Sequence, residues 1–132
     1  MADHHHEPIV IDPIVQKEEW DCGVACLAML LGRAYADVRA RVRKCPDGLS
    51  NRQMMRCAAA LGQRLSHRPH VGDDDVGILD LEREINDRWE GHFALYIRGA
   101  VYNPASGQLW PDVDTYLQYS RYRVCGIFVR AA

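Results

Sequence analysis

The sequence predicts an α+β fold, with helices first and an antiparallel sheet second. Apolar residues recur at helical spacing, between caps and glycine stops, only as far as Gly62. Beyond Gly62 the chain breaks into short β-prone runs separated by turn residues. A length of 132 residues, with 48% hydrophobic and 26% charged side chains, suits a single core rather than a disordered or disulfide-knotted chain. Residues 1–7 read as a mobile tail, and 8–132 as one domain.

In the tail, His4, His5 and His6 are expected to be solvated, binding a metal loosely at most. Ile9-Val10-Ile11 is a short β-prone run stopped by Pro13. The first helix is expected over Cys22 to Leu31, with Asp21 as N-cap and Gly32 as the stop. It is apolar nearly all round, so it is the expected buried central helix. A second, amphipathic helix is expected over Tyr35 to Arg43, with Tyr35, Val38 and Val42 on one face, broken by Lys44 to Gly48. Ser50 is the expected cap of a third, Asn51 to Leu61, in which Met54, Cys57, Ala58 and Leu61 repeat at i, i+3, i+4 and i+7. Asp73-Asp74-Asp75 reads as a solvated loop, since it lacks the alternating ligands of a calcium loop. Strands are expected at Val76 to Leu81, Phe93 to Ile97, Ala100 to Tyr102 and Val124 to Val129, with a tight turn at Arg98-Gly99. Asp112 to Tyr119 fits either a short helix or a loop.

Sixteen basic and eighteen acidic residues give a formal charge of −2 and form no basic stripe, so nucleic acid is not an expected partner. The longest apolar run, Val24 to Gly32, is far short of the roughly 20 residues that span a bilayer. No basic segment followed by an apolar stretch marks the N-terminus for export. Five cysteines, an odd number, point to free thiols in a reducing, cytoplasmic setting.

Cys22 lies in the first turn of its helix, where unpaired N–H groups and the helix dipole favour a thiolate if a cation such as protonated histidine is near. Gly23 is expected to leave the approach to the sulfur open. The alternative fate of Cys22 is that of a small buried hydrophobe. Cys26 sits one turn later amid Ala25, Leu27 and Met29 and reads as core, as do Cys45, Cys57 and Cys125 in their apolar or turn contexts. His67 and His70 fall in a polar, loop-like stretch around Pro69. His92 instead opens a strand after Gly91, and Asn103 closes the next one before Pro104. A turn at Arg98-Gly99 brings the two close, so the Asn103 oxygen can orient the imidazole, the third-group arrangement of a nucleophile–base pair. Both residues equally suit strand-end hydrogen bonding. Gln16, six residues before Cys22, can supply an amide donor that joins the Cys22 N–H in an oxyanion hole. Trp20 and Trp110 suit either cleft walls or core.

Gln16, five residues, then Asp-Cys-Gly-Val-Ala-Cys-Leu-Ala-Met, followed by Gly-His-Phe-Ala-Leu-Tyr-Ile and Val-Tyr-Asn-Pro-Ala-Ser-Gly, resembles the papain-like cysteine peptidases, most closely the C39 peptidases that trim double-glycine leader peptides. The resemblance spans roughly residues 14–128. It implies a papain-like fold, a helical half packed on a small sheet. The roles it implies are nucleophile for Cys22, general base for His92, orienting residue for Asn103 and oxyanion donor for Gln16, with no metal or organic cofactor. Where that family usually has Asp, this chain has Asn103. The implied activity is hydrolysis of an amide bond in a peptide or protein, with Cys22 and His92 resting as an ion pair. No P-loop or membrane span accompanies it here, so a free-standing form is expected and a double-glycine leader is not assumed. A peptidase-like binding module, or a transferase or deamidase working through the same thioester, are the competing readings.

Overall fold

The computed structural model describes residues 11–42 and 48–131. The expected tail with its histidines, the Ile9-Val10 part of the first β-prone run, the last residue of the expected second helix and Cys45 lie outside them. Three helices, α1 (Cys22–Leu31), α2 (Tyr35–Arg39) and α3 (Asn51–Ala60), precede β1 (Leu65–Arg68), β2 (Val76–Ile85), β3 (Arg88–Ile97), β4 (Ala100–Asn103) and β5 (Gln108–Trp110). A fourth helix, α4 (Val113–Ser120), leads into β6 (Arg123–Arg130). The sheet is antiparallel throughout, in the order β1-β6-β2-β3-β4-β5.

Local chemistry sets the helix ends. The Ser50 hydroxyl accepts from the Gln53 backbone N–H while the Gln53 side chain accepts from Ser50 N–H, a reciprocal capping box. Gly32, at φ +64°, closes α1, and Arg33 N–H returns to the Ala28 carbonyl at 2.9 Å. All but the last residue of α1 are buried.

Side chains alternate across the sheet, and each face has its own core. Ile78, Phe93 and Leu95 face the cluster built on α1 and α3. Leu79, Leu81, Ala94 and Tyr96 face a second cluster with Tyr116 and Leu117 of α4. The helical half therefore covers one face, as expected, and α4 covers part of the other. That second cluster resolves the segment after Asp112 as helix: the Asp112 side chain accepts from Asp114 N–H and Thr115 Oγ1.

Several expectations are corrected. His67 lies in strand β1 rather than a loop, with Nε2 3.0 Å from Asp80 Oδ2 and its ring 4.6 Å from that of Phe128. Strands β2 and β3 each run ten residues and extend beyond the core as a two-stranded arm. Asn86 and Asp87, at φ 53° and 63°, make the tight turn at its tip. The edge strand β5 lacked a sequence signal. Asp21 precedes α1 but does not cap it with its side chain. Its fully buried carboxylate turns back and accepts from Lys17 N, Glu18 N and the Tyr35 hydroxyl. Burial, and then this carboxylate, push the Tyr35 hydroxyl up to about 12, so it stays a donor.

Two glycines mark close approaches. Gly77 lies where β2 crosses Phe128 of β6, and an added Cβ would penetrate the Phe128 carbonyl oxygen. At Gly23 a Cβ would meet Met54 Cε at 2.9 Å, Phe93 Cδ2 at 3.1 Å and Leu49 Cδ1 at 3.2 Å. Gly23 thus lets α1 seat on its neighbours and does not open the way to the sulfur.

Candidate active site

A cleft of about 1240 Å³ is lined by Gln16, Cys22, His92 and Asn103 together. Each arrives on a different segment: Gln16 on the strap before α1, Cys22 at the start of α1, His92 on β3 and Asn103 at the end of β4. Leu95 pairs with Tyr102, so one step further sets Asn103 opposite Ala94 and makes His92 its diagonal neighbour on the same face.

The His92–Asn103 contact fixes a tautomer. Asn103 Oδ1 accepts from Ala105 N–H at 3.1 Å, which can only be a bond to the amide oxygen. The same oxygen lies 2.8 Å from His92 Nε2, so Nε2 carries the proton. In the neutral ring Nδ1 is then the basic nitrogen.

Cys22 is 7% exposed. The backbone N–H groups of Phe93, the residue after His92, and of Gly23 lie toward its sulfur and, with its own N–H, lower its pKa. These favour a thiolate, but burial outweighs them and the Asp21 charge adds to it, so the thiol is pushed up. Burial moves the His92 imidazole down, helped by Arg83 and opposed by the Asn103 hydrogen bond and Glu90. Taken singly, each group is shifted by burial toward its neutral form, which works against the resting ion pair expected from the sequence. Alkylation of Cys22 by iodoacetamide, followed against pH by mass spectrometry, is accordingly expected to rise only above the ordinary thiol range near about 8.5. A rate already at its plateau below pH 7 would restore the ion pair.

Gln16 N–H donates to the Pro104 carbonyl at 2.9 Å, tying the strap to the turn that follows Asn103. Its side-chain Nε2 donates to the carbonyls of Glu18 at 2.9 Å and Glu19 at 3.3 Å, and Oε1 is buried with no partner. The amide must turn to reach a substrate oxygen.

Trp20 and Trp110 combine the two readings open to them. Both line the cleft, yet Trp20 is 5% exposed within the α1 core, and Trp110 packs on Tyr116 and Tyr119 at 5.8 and 5.0 Å. Trp89 lines it too, so all three tryptophans of the chain meet there. Cys26, Cys57 and Cys125 are free thiols; burial raises all three, Cys26 well above the usual value.

Sequence reasoning missed the group beside His92. Its ring stacks on Tyr122, with centroids 5.3 Å apart and planes at 16°. Arg83 and Glu90 pair across the arm close by. An Asn86-Asp87 turn, once recognised, sets Arg83 opposite Glu90; nothing in the sequence signals Tyr122.

No family profile and no curated protein matches the chain in sequence. Among solved structures, a double glycine motif protease from an AMS/PCAT transporter, crystallised in complex with the leader peptide, matches it. The match covers 92% of this chain and 91% of that one, with a TM-score of 0.64 and 18% identity. The chain shares that protease's fold. At this identity the likeness speaks to architecture alone, a mixed helix and antiparallel sheet domain. Among the described residues, no helix is long and apolar enough to cross a membrane.

Proposed function

We propose that this protein is a papain-like cysteine peptidase of C39 type, hydrolysing an amide bond in a peptide through Cys22, His92 and Asn103. The observation that carries the reading is the Asn103–His92 hydrogen bond of 2.8 Å, which leaves Nδ1 as the base in the cleft that Cys22 lines. His92 Nδ1 takes the thiol proton as the sulfur attacks the substrate carbonyl carbon. The oxyanion is met by the Cys22 N–H and by the Gln16 amide once it turns from the Glu18 and Glu19 carbonyls. His92 then passes the proton to the leaving amine, whose departure leaves a thioester on Cys22. Water, deprotonated by His92, hydrolyses the thioester and regenerates the thiol. Asn103 is uncharged, so it orients the ring without electrostatic support for the imidazolium. The similar fold of a protease crystallised with a leader peptide supports a peptide as substrate.

The engaged Gln16 amide favours a second reading, a peptide-binding module that does not cut. Digestion of a peptide library, with and without amine acceptors, separates the readings. New peptide termini that vanish in Cys22→Ala are expected. Products carrying the added amine would reassign the chemistry to a transferase, and peptide retention with neither product would establish the binding module.

A further inference from the structure

His92 is held along one edge by Asn103, and a single hydrogen bond on Nε2 fixes the direction of that bond but not the roll of the ring about it. Roll decides where Nδ1 points. The face of the imidazole is covered by Tyr122, which stands one residue before β6, nearly parallel to it at 5.3 Å. We propose that Tyr122, clamped by Arg83 and Glu90, is a positioning residue for His92, holding the ring in the roll that presents Nδ1 to the cleft. This rests on His92 acting as the base.

The clamp is a closed set of contacts. Leu81 pairs with His92 and Arg83 with Glu90, so Arg83 is a diagonal neighbour of His92 across β2 and β3. The Arg83 guanidinium lies over the Tyr122 ring, 4.4 Å from its centroid. Arg83 Nε donates to Glu90 Oε1 at 2.5 Å and Nη1 to the Ser120 carbonyl at 2.7 Å. The Tyr122 hydroxyl donates to the same Glu90 oxygen at 3.3 Å, and its backbone N–H to Ser120 Oγ at 3.3 Å. Burial pushes that hydroxyl up to about 12, so it remains a donor throughout the neutral range. The ring is thereby fixed at its hydroxyl, its face and its backbone.

The clamp also carries charge. The groups that act on His92 are Arg83 from β2, Glu90 from its own strand, Asn103 from β4 and Tyr122, with the Cys22 thiol on the same cleft. Glu19, Arg88, Tyr116 and Tyr119 stand elsewhere on the cleft wall. Arg83 opposes a second positive charge on the imidazole, whereas Glu90 favours one. Arg83 and Glu90 should therefore move the His92 titration in opposite senses, which a purely structural role would not do.

The test is NMR titration of His92 in histidine-labelled protein, with His92→Gln assigning the signal, alongside the pH profile of peptide hydrolysis. Arg83→Met is expected to raise the His92 midpoint by about half a pH unit and Glu90→Gln to lower it by a similar amount. Arg83→Lys, which keeps the charge, should stay near the parent. Tyr122→Phe keeps the stack and should turn over within about twofold, whereas Tyr122→Leu should lower kcat by about tenfold with KM little changed. Midpoints that move together or not at all, or a Tyr122→Leu variant altered only in KM, would overturn the proposal. Should the parent fail to hydrolyse any peptide, the peptidase reading falls, while the titration still decides whether the clamp governs the ring.

Discussion

Replacing Cys22 with alanine is expected to reduce peptide hydrolysis by about ten-thousand-fold, while the melting temperature changes by less than about 4 °C. The sulfur is the only heavy atom removed: Cys22 is buried at the rim of the α1 core where it meets the cleft, and alanine keeps its Cβ there. Cys26→Ala is the matched control. Cys26 is fully buried, and burial pushes its thiol well above the usual range, so it is not expected to react. Its loss costs about 1 kcal/mol of packing and leaves turnover near the parent. A peptide-cleavage assay paired with thermal melts reads both quantities. Equal loss of activity in the two variants would mean that the helix, and not the sulfur, is what the assay detects.

Gly77→Ala is expected to destabilise the fold by about 3 kcal/mol, lowering the melting temperature by roughly 10 °C. The added carbon would collide with the Phe128 carbonyl oxygen and crowd Ile127 Cγ1 and Val129 Cγ1, both at 3.1 Å. These are backbone and packed side-chain atoms of the neighbouring strand β6, so nothing flexible can step aside. Gly91→Ala provides the comparison: its Cβ would meet only the Leu81 oxygen at 3.7 Å, an ordinary contact. That variant should melt within a few degrees of the parent. A Gly77→Ala protein that melts like Gly91→Ala would show that the β2–β6 spacing relaxes freely.

The ends of α1 and α3 were legible because their signals are local, whereas α2, expected to run to Arg43, stops at Arg39. Ser50 and Gly32 mark ends through chemistry that the flanking residues carry themselves, and the Met54-Cys57-Ala58-Leu61 face needs only helical periodicity. The strands were legible where they cross the core and not where they leave it. Glu82, Arg83 and Glu84 lie past the strand end expected at Leu81, yet they pair with Gly91, Glu90 and Trp89 respectively. His67 looked like loop because its partners, Asp80 and Phe128, are far away in sequence. Asp21 gave a true boundary for the wrong reason, since its carboxylate folds the strap behind the helix instead of capping it. The proximity of His92 to Asn103 followed from one short turn, and the cleft joins them with Cys22 and Gln16. The upward shift of Cys22 and the downward shift of His92 did not follow, because desolvation depends on everything packed around them.

The end of β4 and the turn that follows do two jobs on adjacent residues. Asn103 grips the imidazole while the Pro104 carbonyl anchors the backbone of residue 16. Insertions or deletions there would displace two partners at once, so that loop has no freedom to vary in length. The tip at Asn86-Asp87 holds neither the imidazole nor the strap, although Asn86 lines the cleft and the arm behind it brings Trp89, 58% exposed, to the same wall. Anyone grafting new recognition onto this scaffold would find the room for it at that hairpin.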